Sequence, residues 1–191
     1  MFTDGRSKKV VFIAHCLLNQ NAISDGTAVY PAAFRELVQY FLEHEVGVVQ
    51  MPCPELCCLG LDRGDERGAT RPVAEENTRI RRAMMKPEPR TRLMALVDQV
   101  MWQITEYRKH GFQILGIFGA NRSPNCGVDT TSDNNAEVEG KGLFMKELYK
   151  RLQIAGIDVS LIGLKATDSL KEKLSLIHMP DNGRSQKEQT V

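Results

Sequence analysis

Three of the five cysteines stand at positions that a parallel β-sheet would bring together. Cys16 follows a short apolar run by two residues, Cys53 follows a valine-rich run by two residues, and Cys126 lies in a long polar segment after a third apolar run. Because the carboxyl ends of parallel strands meet at one edge of a sheet, we expect the three thiols at the same edge. Thiols that converge from distant parts of a chain are typical of a metal or iron–sulfur site.

The other two cysteines, Cys57 and Cys58, are adjacent, and the total is odd. The N-terminal residues 1–9 are polar and charged, and the apolar stretch 10–14 is too short for a secretory signal or a transit peptide. We therefore expect a cytoplasmic location. Its reducing conditions favour thiol, metal or cluster chemistry over a disulfide framework.

The composition argues against several functional classes. The 191 residues include 25 Lys and Arg against 24 Asp and Glu, a formal net charge of +1, which is not the charge of a general nucleic-acid binder. No apolar run approaches the roughly 18 residues that a membrane helix needs. The motifs Gly-x-Gly-x-x-Gly and Gly-x-x-x-x-Gly-Lys-Ser/Thr are absent from the sequence, so dinucleotide and P-loop chemistry lack support. We expect neither bulk nucleic acid nor a membrane as a partner.

Short apolar runs alternate with segments of helical periodicity. Runs rich in β-branched residues predict strands over 8–14, 46–51, 112–118 and 157–164. A period near 3.6 predicts a helix that Pro31 opens and that ends before Gly47, and further helices over 75–85, 91–110, 139–155 and 167–177. The segment 119–135 is predicted to be a loop.

Strands joined by helices of crossover length predict one α/β domain over residues 1–179. We expect a doubly wound, mostly parallel sheet with helices on both faces. The tail 180–191 is polar and charged, and we expect it to be disordered. Ligands bind such sheets outside the carboxyl ends of the strands, so the loops after the first three strands are the candidate site.

The motifs in these loops resemble those of a known family. The chain is similar to the 2-thiouracil desulfidase family, formerly a domain of unknown function, and the motifs keep the family's order over about the first two thirds of the chain. They are Cys16-Leu17-Leu18, Asp25-Gly26, Cys53-Pro54-Glu55 with Gly60-Leu61 and Arg63 downstream, and Arg122-Ser123-Pro124-Asn125-Cys126-Gly127. The chain departs from the family at His15 and Asn19, where the family usually has a small residue and a glycine.

The resemblance implies an enzyme with a 4Fe-4S cluster held by Cys16, Cys53 and Cys126, and with one iron left without a protein thiolate. In the family's proposed mechanism that iron binds the sulfur of a small thiolated compound, a thiolated nucleobase. Water then cleaves the carbon–sulfur bond without net redox change, and sulfur leaves as sulfide. A nearby acid–base residue would activate the water.

Three side chains are candidates for that chemistry. Glu55, two residues from Cys53, is the best-placed carboxylate, and Asp25 is the second. Ser123 is a candidate to hydrogen-bond the substrate or a cluster sulfur. The alternative roles are structural: a solvated or helix-capping acid for Glu55 and a turn formed with Pro124 for Ser123.

The adjacent cysteines leave other readings open. Cys53 and Cys57, with Cys58 and either His15 or His110, could form a zinc site. Alternatively, Cys57 or Cys58 could supply a fourth cluster ligand and make the protein a sensor or an electron carrier. A third class, a metal-free module that binds a small molecule, would not need the cysteines at all.

The segment 63–92 is locally basic. It contains nine Lys and Arg against five Asp and Glu. This excess of four positive charges predicts either a lid that attracts an anionic substrate or a solvated helix face.

Overall fold

The computed structural model describes residues 2–177, so His178 and the predicted tail 180–191 lie outside the described residues. The strands are β1 (Lys9–Ala14), β2 (Gly47–Met51), β3 (Gln113–Ala120), β4 (Thr130–Asp133), β5 (Ala136–Glu139) and β6 (Leu161–Leu164). The helices are α1 (His15–Leu18), α2 (Arg35–Glu43), α3 (Pro54–Leu59), α4 (Val73–Met84), α5 (Pro87–Lys109), α6 (Leu143–Ile154) and α7 (Leu170–Leu174). In residues 2–177 no helix is long and apolar enough to span a bilayer.

The main sheet has four parallel strands in the order β2-β1-β3-β6. Every residue of β1 is buried, as expected for a strand covered on both faces. Phe12 of β1 contacts Tyr107 of α5, with ring centroids 6.1 Å apart. Phe118 of β3 lies on the opposite face, because the residue before it, Ile117, pairs with Phe12 and side chains alternate between faces along a strand. Phe118 contacts Phe41 of α2, with ring centroids 5.4 Å apart. Helices therefore cover both faces, and the predicted doubly wound α/β fold is confirmed.

The strand order places a switch point beside β1. From β1 the chain crosses to β2 on one side, and from β2 it returns to β3 on the other side. The loops that leave β1 and β3 therefore diverge, and a crevice opens between them at the carboxyl edge.

The predicted starts of α2 and α5 are wrong. The helix predicted from Pro31 begins at Arg35, because residues before it pair with the loop after β1: Phe34 N–H donates to the Leu17 carbonyl at 2.9 Å, and Ala32 accepts from Gln20 N–H at 2.6 Å. The helix predicted from residue 91 begins earlier, at Pro87. Proline is tolerated in a first helical turn because its missing N–H has no partner there anyway.

The predicted loop 119–135 instead contains a strand of an antiparallel hairpin, β4–β5. Asn134 and Asn135 form its turn with φ of 48° and 59°, which is the pattern of a type I′ hairpin turn. Because Glu139 pairs in β5, α6 begins at Leu143 rather than at the predicted residue 139.

The last strand and helix are shorter than predicted. β6 begins at Leu161, because the Ile157 N–H donates to the Leu152 carbonyl at the end of α6 and does not join the sheet. The N-cap of α7 is Ser169, whose hydroxyl accepts from Glu172 N–H at 3.4 Å, and the helix ends at Leu174. Asp168, which the predicted helix 167–177 includes, lies before the N-cap and accepts from Lys165 N–H at 2.9 Å.

Candidate active site

A cavity of about 280 Å³ opens at the carboxyl edge of the sheet. Its walls come from the segments that follow β1, β2, β3 and β6. Cys16, Cys53 and Cys126 all line it, as does Glu55. The structure thus brings the three thiols together where the topology predicts them.

Each cysteine is placed by a different local structure. Cys16 lies in the short helix α1, directly after β1. Cys53 is the N-cap of α3, where its Sγ accepts from Leu56 N–H at 3.5 Å and Pro54 occupies the first helical position. Cys126 N–H donates to the Ser123 hydroxyl at 3.0 Å, so a tight turn holds the third thiol.

Glycines allow the Cys126 segment to pack closely. A Cβ on Gly127 would lie 2.1 Å from the Thr130 carbonyl oxygen, and a Cβ on Gly119 would lie 2.3 Å from the Cys126 carbonyl oxygen. Both positions therefore exclude any side chain. Gly127 serves the close approach of protein backbone rather than space for a bound group.

The thiols interact with one another. The pKa of Cys16 is raised to about 12, mainly by burial and to a smaller extent by the nearby Cys53 and Glu55. Burial and Glu55 raise the pKa of Cys53 to about 11. Burial, followed by Cys16, Cys53 and Glu55, raises the pKa of Cys126 well above its ordinary value. The three thiols keep their protons until a cation compensates their charge, and a bound metal centre would do so.

Glu55 is a buried carboxylate, only 6% exposed, that accepts four hydrogen bonds. Oε2 accepts from the Ser24 hydroxyl and from Arg63 Nε, both at 3.1 Å. Oε1 accepts from Asn125 Nδ2 at 3.0 Å and from the Ser123 hydroxyl at 3.4 Å. All four groups are donors, which suits the ionised carboxylate because it only accepts hydrogen bonds.

The other predicted site residues lie in different places. Ser123 lines the cavity and contacts Glu55. Asp25 is exposed, accepts from Gly26 N–H at 2.9 Å and does not line the cavity. Its catalytic role stays a prediction that the structure does not favour.

The cysteines of the alternative readings are also outside the cavity wall. Cys57 is exposed, and Cys58 is half-buried against the core. Burial and then Cys57 raise the pKa of Cys58 to about 11. His110 caps α5 just before β3 and so stands at the opposite edge of the sheet.

The basic segment is divided between interior and surface. Arg63 is buried, and Arg71 and Arg79 both pair with Glu76, at 3.0 and 2.6 Å. Arg92 pairs with Glu88 on the exposed side of α5 at 2.7 Å. Much of the local charge excess therefore stabilises the structure next to the cavity and does not form a free cationic lid.

The donor set fits a cluster better than a single ion. Within residues 2–177 no three His, Cys, Asp or Glu side chains converge closely enough to hold one metal ion. The three thiols instead surround a cavity, and in an iron–sulfur cluster each protein thiolate binds its own iron. Two buried polar atoms, His15 Nε2 and Asn125 Oδ1, belong to the residues that precede Cys16 and Cys126 in the chain and have no hydrogen-bond partner among residues 2–177. Such atoms in a buried site are typical of the neighbourhood of an ion or ligand.

The sequence patterns predict none of Ser24, Arg63 and Asn125 as a partner of Glu55, although Arg63 and Asn125 belong to the motifs that carry the family resemblance. These residues come from loops, whose paths hydrophobic periodicity does not predict. For Arg63 the sequence does contain a signal: a basic residue eight positions after Glu55 can form an ion pair with this carboxylate across a tight turn.

Comparisons with known proteins give limited similarity. No protein-family model matches the chain. An uncharacterized protein of Methanocaldococcus jannaschii, MJ0003, is 27% identical over 157 residues, which cover 82% of this chain and 86% of the relative. The solved structure of the 4Fe-4S-dependent thiouracil desulfidase TudS matches with a TM-score of 0.44 and 16% identity, over 88% of this chain and 97% of the other. Neither similarity assigns the chain to a family, so its function rests on the chemistry of the cavity.

Proposed function

We propose that this protein is a desulfidase that removes sulfur, as sulfide, from a small thiolated compound by hydrolysis of a carbon–sulfur bond. Its candidate substrate is a thiolated nucleobase such as 2-thiouracil, and its candidate cofactor is a 4Fe-4S cluster held by Cys16, Cys53 and Cys126. One observation carries the proposal: three thiols and a buried carboxylate, Glu55, line the same cavity. The motif resemblance described above supports the same chemistry.

Three protein thiolates leave one iron of such a cluster without a protein ligand, whereas closed clusters take four. When bound, the cluster would supply a Lewis-acidic iron that can take the sulfur of a thiocarbonyl group. The overall reaction consumes one water, replaces C=S by C=O and releases hydrogen sulfide, so it needs no external electron donor or acceptor. A cluster that air would damage fits the reducing, cytoplasmic location that the sequence predicts.

The residues of this chain would supply the proton transfers. Glu55 lines the cavity and can take a proton from the attacking water as general base. The Ser123 hydroxyl also lines the cavity and hydrogen-bonds to Glu55, so it can carry a proton between the carboxylate and the substrate. Arg63, Ser24 and Asn125 hold the carboxylate in one orientation.

The cavity suits a small planar ring. Its volume, about 280 Å³, is at the lower end of ligand pockets. Tyr30 and Phe34 stack on each other with ring centroids 5.1 Å apart, and both line the wall. Val29 and Ile23 continue this apolar surface. An apolar lining with a few polar groups is the usual make-up of a pocket that orients a small ligand.

No observation favours the electron carrier or sensor. That reading needs Cys57 or Cys58 as a ligand, and neither lines the cavity in the described part of the chain. The open, three-thiol site is therefore the stronger proposal.

Sulfide release from 2-thiouracil by the anaerobically reconstituted protein tests the proposal. We expect sulfide and uracil in equal amounts, and we expect Glu55→Gln to lower kcat by about 10²–10⁴-fold, the usual contribution of a general base. Asp25→Asn is the matched control, because it removes an exposed carboxylate outside the cavity. A cluster-bearing protein that releases no sulfide from any thiolated nucleobase would contradict the proposed substrate class. Loss of activity in Asp25→Asn but not in Glu55→Gln would transfer the catalytic role to Asp25.

A further inference from the structure

Arg63 is the most completely bonded charged side chain beside the cavity. It is 3% exposed, and every one of its five guanidinium N–H groups has an acceptor. Nε donates to Glu55 Oε2 at 3.1 Å. The Nη1 group donates to the carbonyl oxygens of Gly60 and Leu61, at 3.1 and 2.8 Å. The Nη2 group donates to the Ala22 carbonyl at 2.6 Å and to Cys53 Sγ at 3.8 Å.

These contacts join three separate parts of the site. Ala22 belongs to the segment after β1. Cys53 caps α3 and Glu55 lies in its first turn, and Gly60 and Leu61 follow α3. One planar group thus fixes the predicted cysteine ligand and the predicted base relative to each other. Both are held against the loop that carries Ser24, which also bonds Glu55.

The backbone of Arg63 is itself held in place. Its φ is +56°, in the left-handed region that residues other than glycine rarely adopt. The Arg63 carbonyl accepts from Arg79 Nη2 at 2.9 Å, and Arg79 is paired with Glu76. Backbone strain of this kind persists where the surrounding structure requires it, and it is frequent at functional sites.

We propose that Arg63 is a positioning residue that holds Cys53 and Glu55 in the geometry needed for ligation and proton transfer. The inference rests on the proposed function and adds a residue that acts through its contacts to Cys53 and Glu55. A lysine has three N–H donors on one flexible point charge and cannot reproduce a five-donor planar fork. Arg63→Lys therefore keeps the charge but loses the positioning.

The experiment must separate positioning from the simple cost of burying an unpaired charge. Comparison of the double variant, Arg63→Met with Glu55→Gln, with wild type does so, because neither protein buries an unpaired charge. The first readout is the rate at which a bulky maleimide labels Cys53 in the full, cluster-free chain. Cys57, which is exposed, is the internal control. Arg92→Met, which removes an exposed ion pair on α5, is the matched arginine control.

We expect the labelling rate of Cys53 to rise at least about tenfold over wild type in the double variant. The rate of Cys57 should not rise, because Cys57 is already exposed and loss of the Arg63 charge raises its pKa. In reconstituted protein we expect Arg63→Lys to lower kcat by about 10²-fold with KM little changed, because misplacing a catalytic group by about 1 Å has that effect. The same variant should lose iron to a ferrous chelator faster than wild type does. Arg92→Met should match wild type in every measurement.

Equal Cys53 labelling in the double variant and in wild type would overturn the inference, as would an Arg63→Lys protein with wild-type kcat and iron retention. These outcomes are distinct from failure of the proposed function. If the wild type releases no sulfide but Cys53 labelling still depends on Arg63, the positioning role stands and the desulfidase proposal fails.

Discussion

The ion pair between Glu55 and Arg63 should dominate the local stability of the site. The Arg63 and Glu55 side chains are 3% and 8% exposed, so water screens their interaction very little. Removal of one partner from a buried pair typically costs about 3–5 kcal/mol, because the other charge remains buried without compensation. We expect Glu55→Gln and Arg63→Met each to lower the free energy of unfolding by an amount in this range. The double variant should lose less than the sum, with a coupling of about 0.5–3 kcal/mol.

Urea denaturation of the cluster-free, reduced protein, followed by circular dichroism, measures this cycle. The m value must stay constant across the variants for the free energies to be comparable. The exposed pair of Arg92 and Glu88, whose side chains are 56% and 77% exposed, provides a control cycle. For an exposed pair the expected coupling is at most about 1 kcal/mol. Additivity of the Glu55 and Arg63 variants within about 0.5 kcal/mol would refute the reasoning.

Three further outcomes follow from other contacts. The hydrogen bond from Arg79 lowers the pKa of Glu76 below its ordinary 4.5, so the stability that ionised Glu76 contributes is present above pH 4.5 and is lost as the pH falls through the lowered pKa. Glu76→Gln should therefore make the free energy of unfolding fall less steeply at acid pH than it does in wild type. An unchanged acid dependence in this variant would refute the prediction. Gly127→Ala should destabilise the fold by about 1–3 kcal/mol or more in urea, because the new Cβ meets backbone at 2.1 Å, whereas Gly5→Ala, with no atom of residues 2–177 within 4 Å, should have no effect. Replacement of Cys57 and Cys58 by serine should leave iron content and sulfide release at wild-type levels, and a loss of iron would revive the closed-cluster reading.

Patterns that depend on burial could be predicted from the sequence. Residues 10–14 of β1 are apolar at consecutive positions because both faces of the strand are covered. A continuous apolar run in the sequence therefore predicts a buried strand. The convergence of Cys16, Cys53 and Cys126 on one cavity also follows from topology alone, since the carboxyl ends of parallel strands share an edge.

Features that depend on turn chemistry were missed. The β4–β5 hairpin lies in a polar segment without a clear hydrophobic alternation, and its only local signal is the Asn134-Asn135 pair at positive φ. The helix predicted over 91–110 leaves out Pro87, although proline at the first position is a common way to begin a helix.

The hydrogen-bond partners of Glu55 could not be predicted from periodicity. Ser24, Arg63 and Asn125 reach it from three loops that lie 31, 8 and 70 residues away along the chain. Only the folded path of those loops brings their donors to one carboxylate. The sequence could nominate the carboxylate but not the side chains that hold it.

Iron and acid-labile sulfide per chain, after anaerobic purification, test the central claim most directly. We expect about four of each in the wild type and a marked loss in Cys16→Ala, Cys53→Ala and Cys126→Ala. Cys57→Ala, which changes an exposed thiol outside the cavity, should retain the wild-type content. Fewer than about two irons per chain in the wild type, or undiminished iron in the three cavity variants, would contradict the cluster assignment.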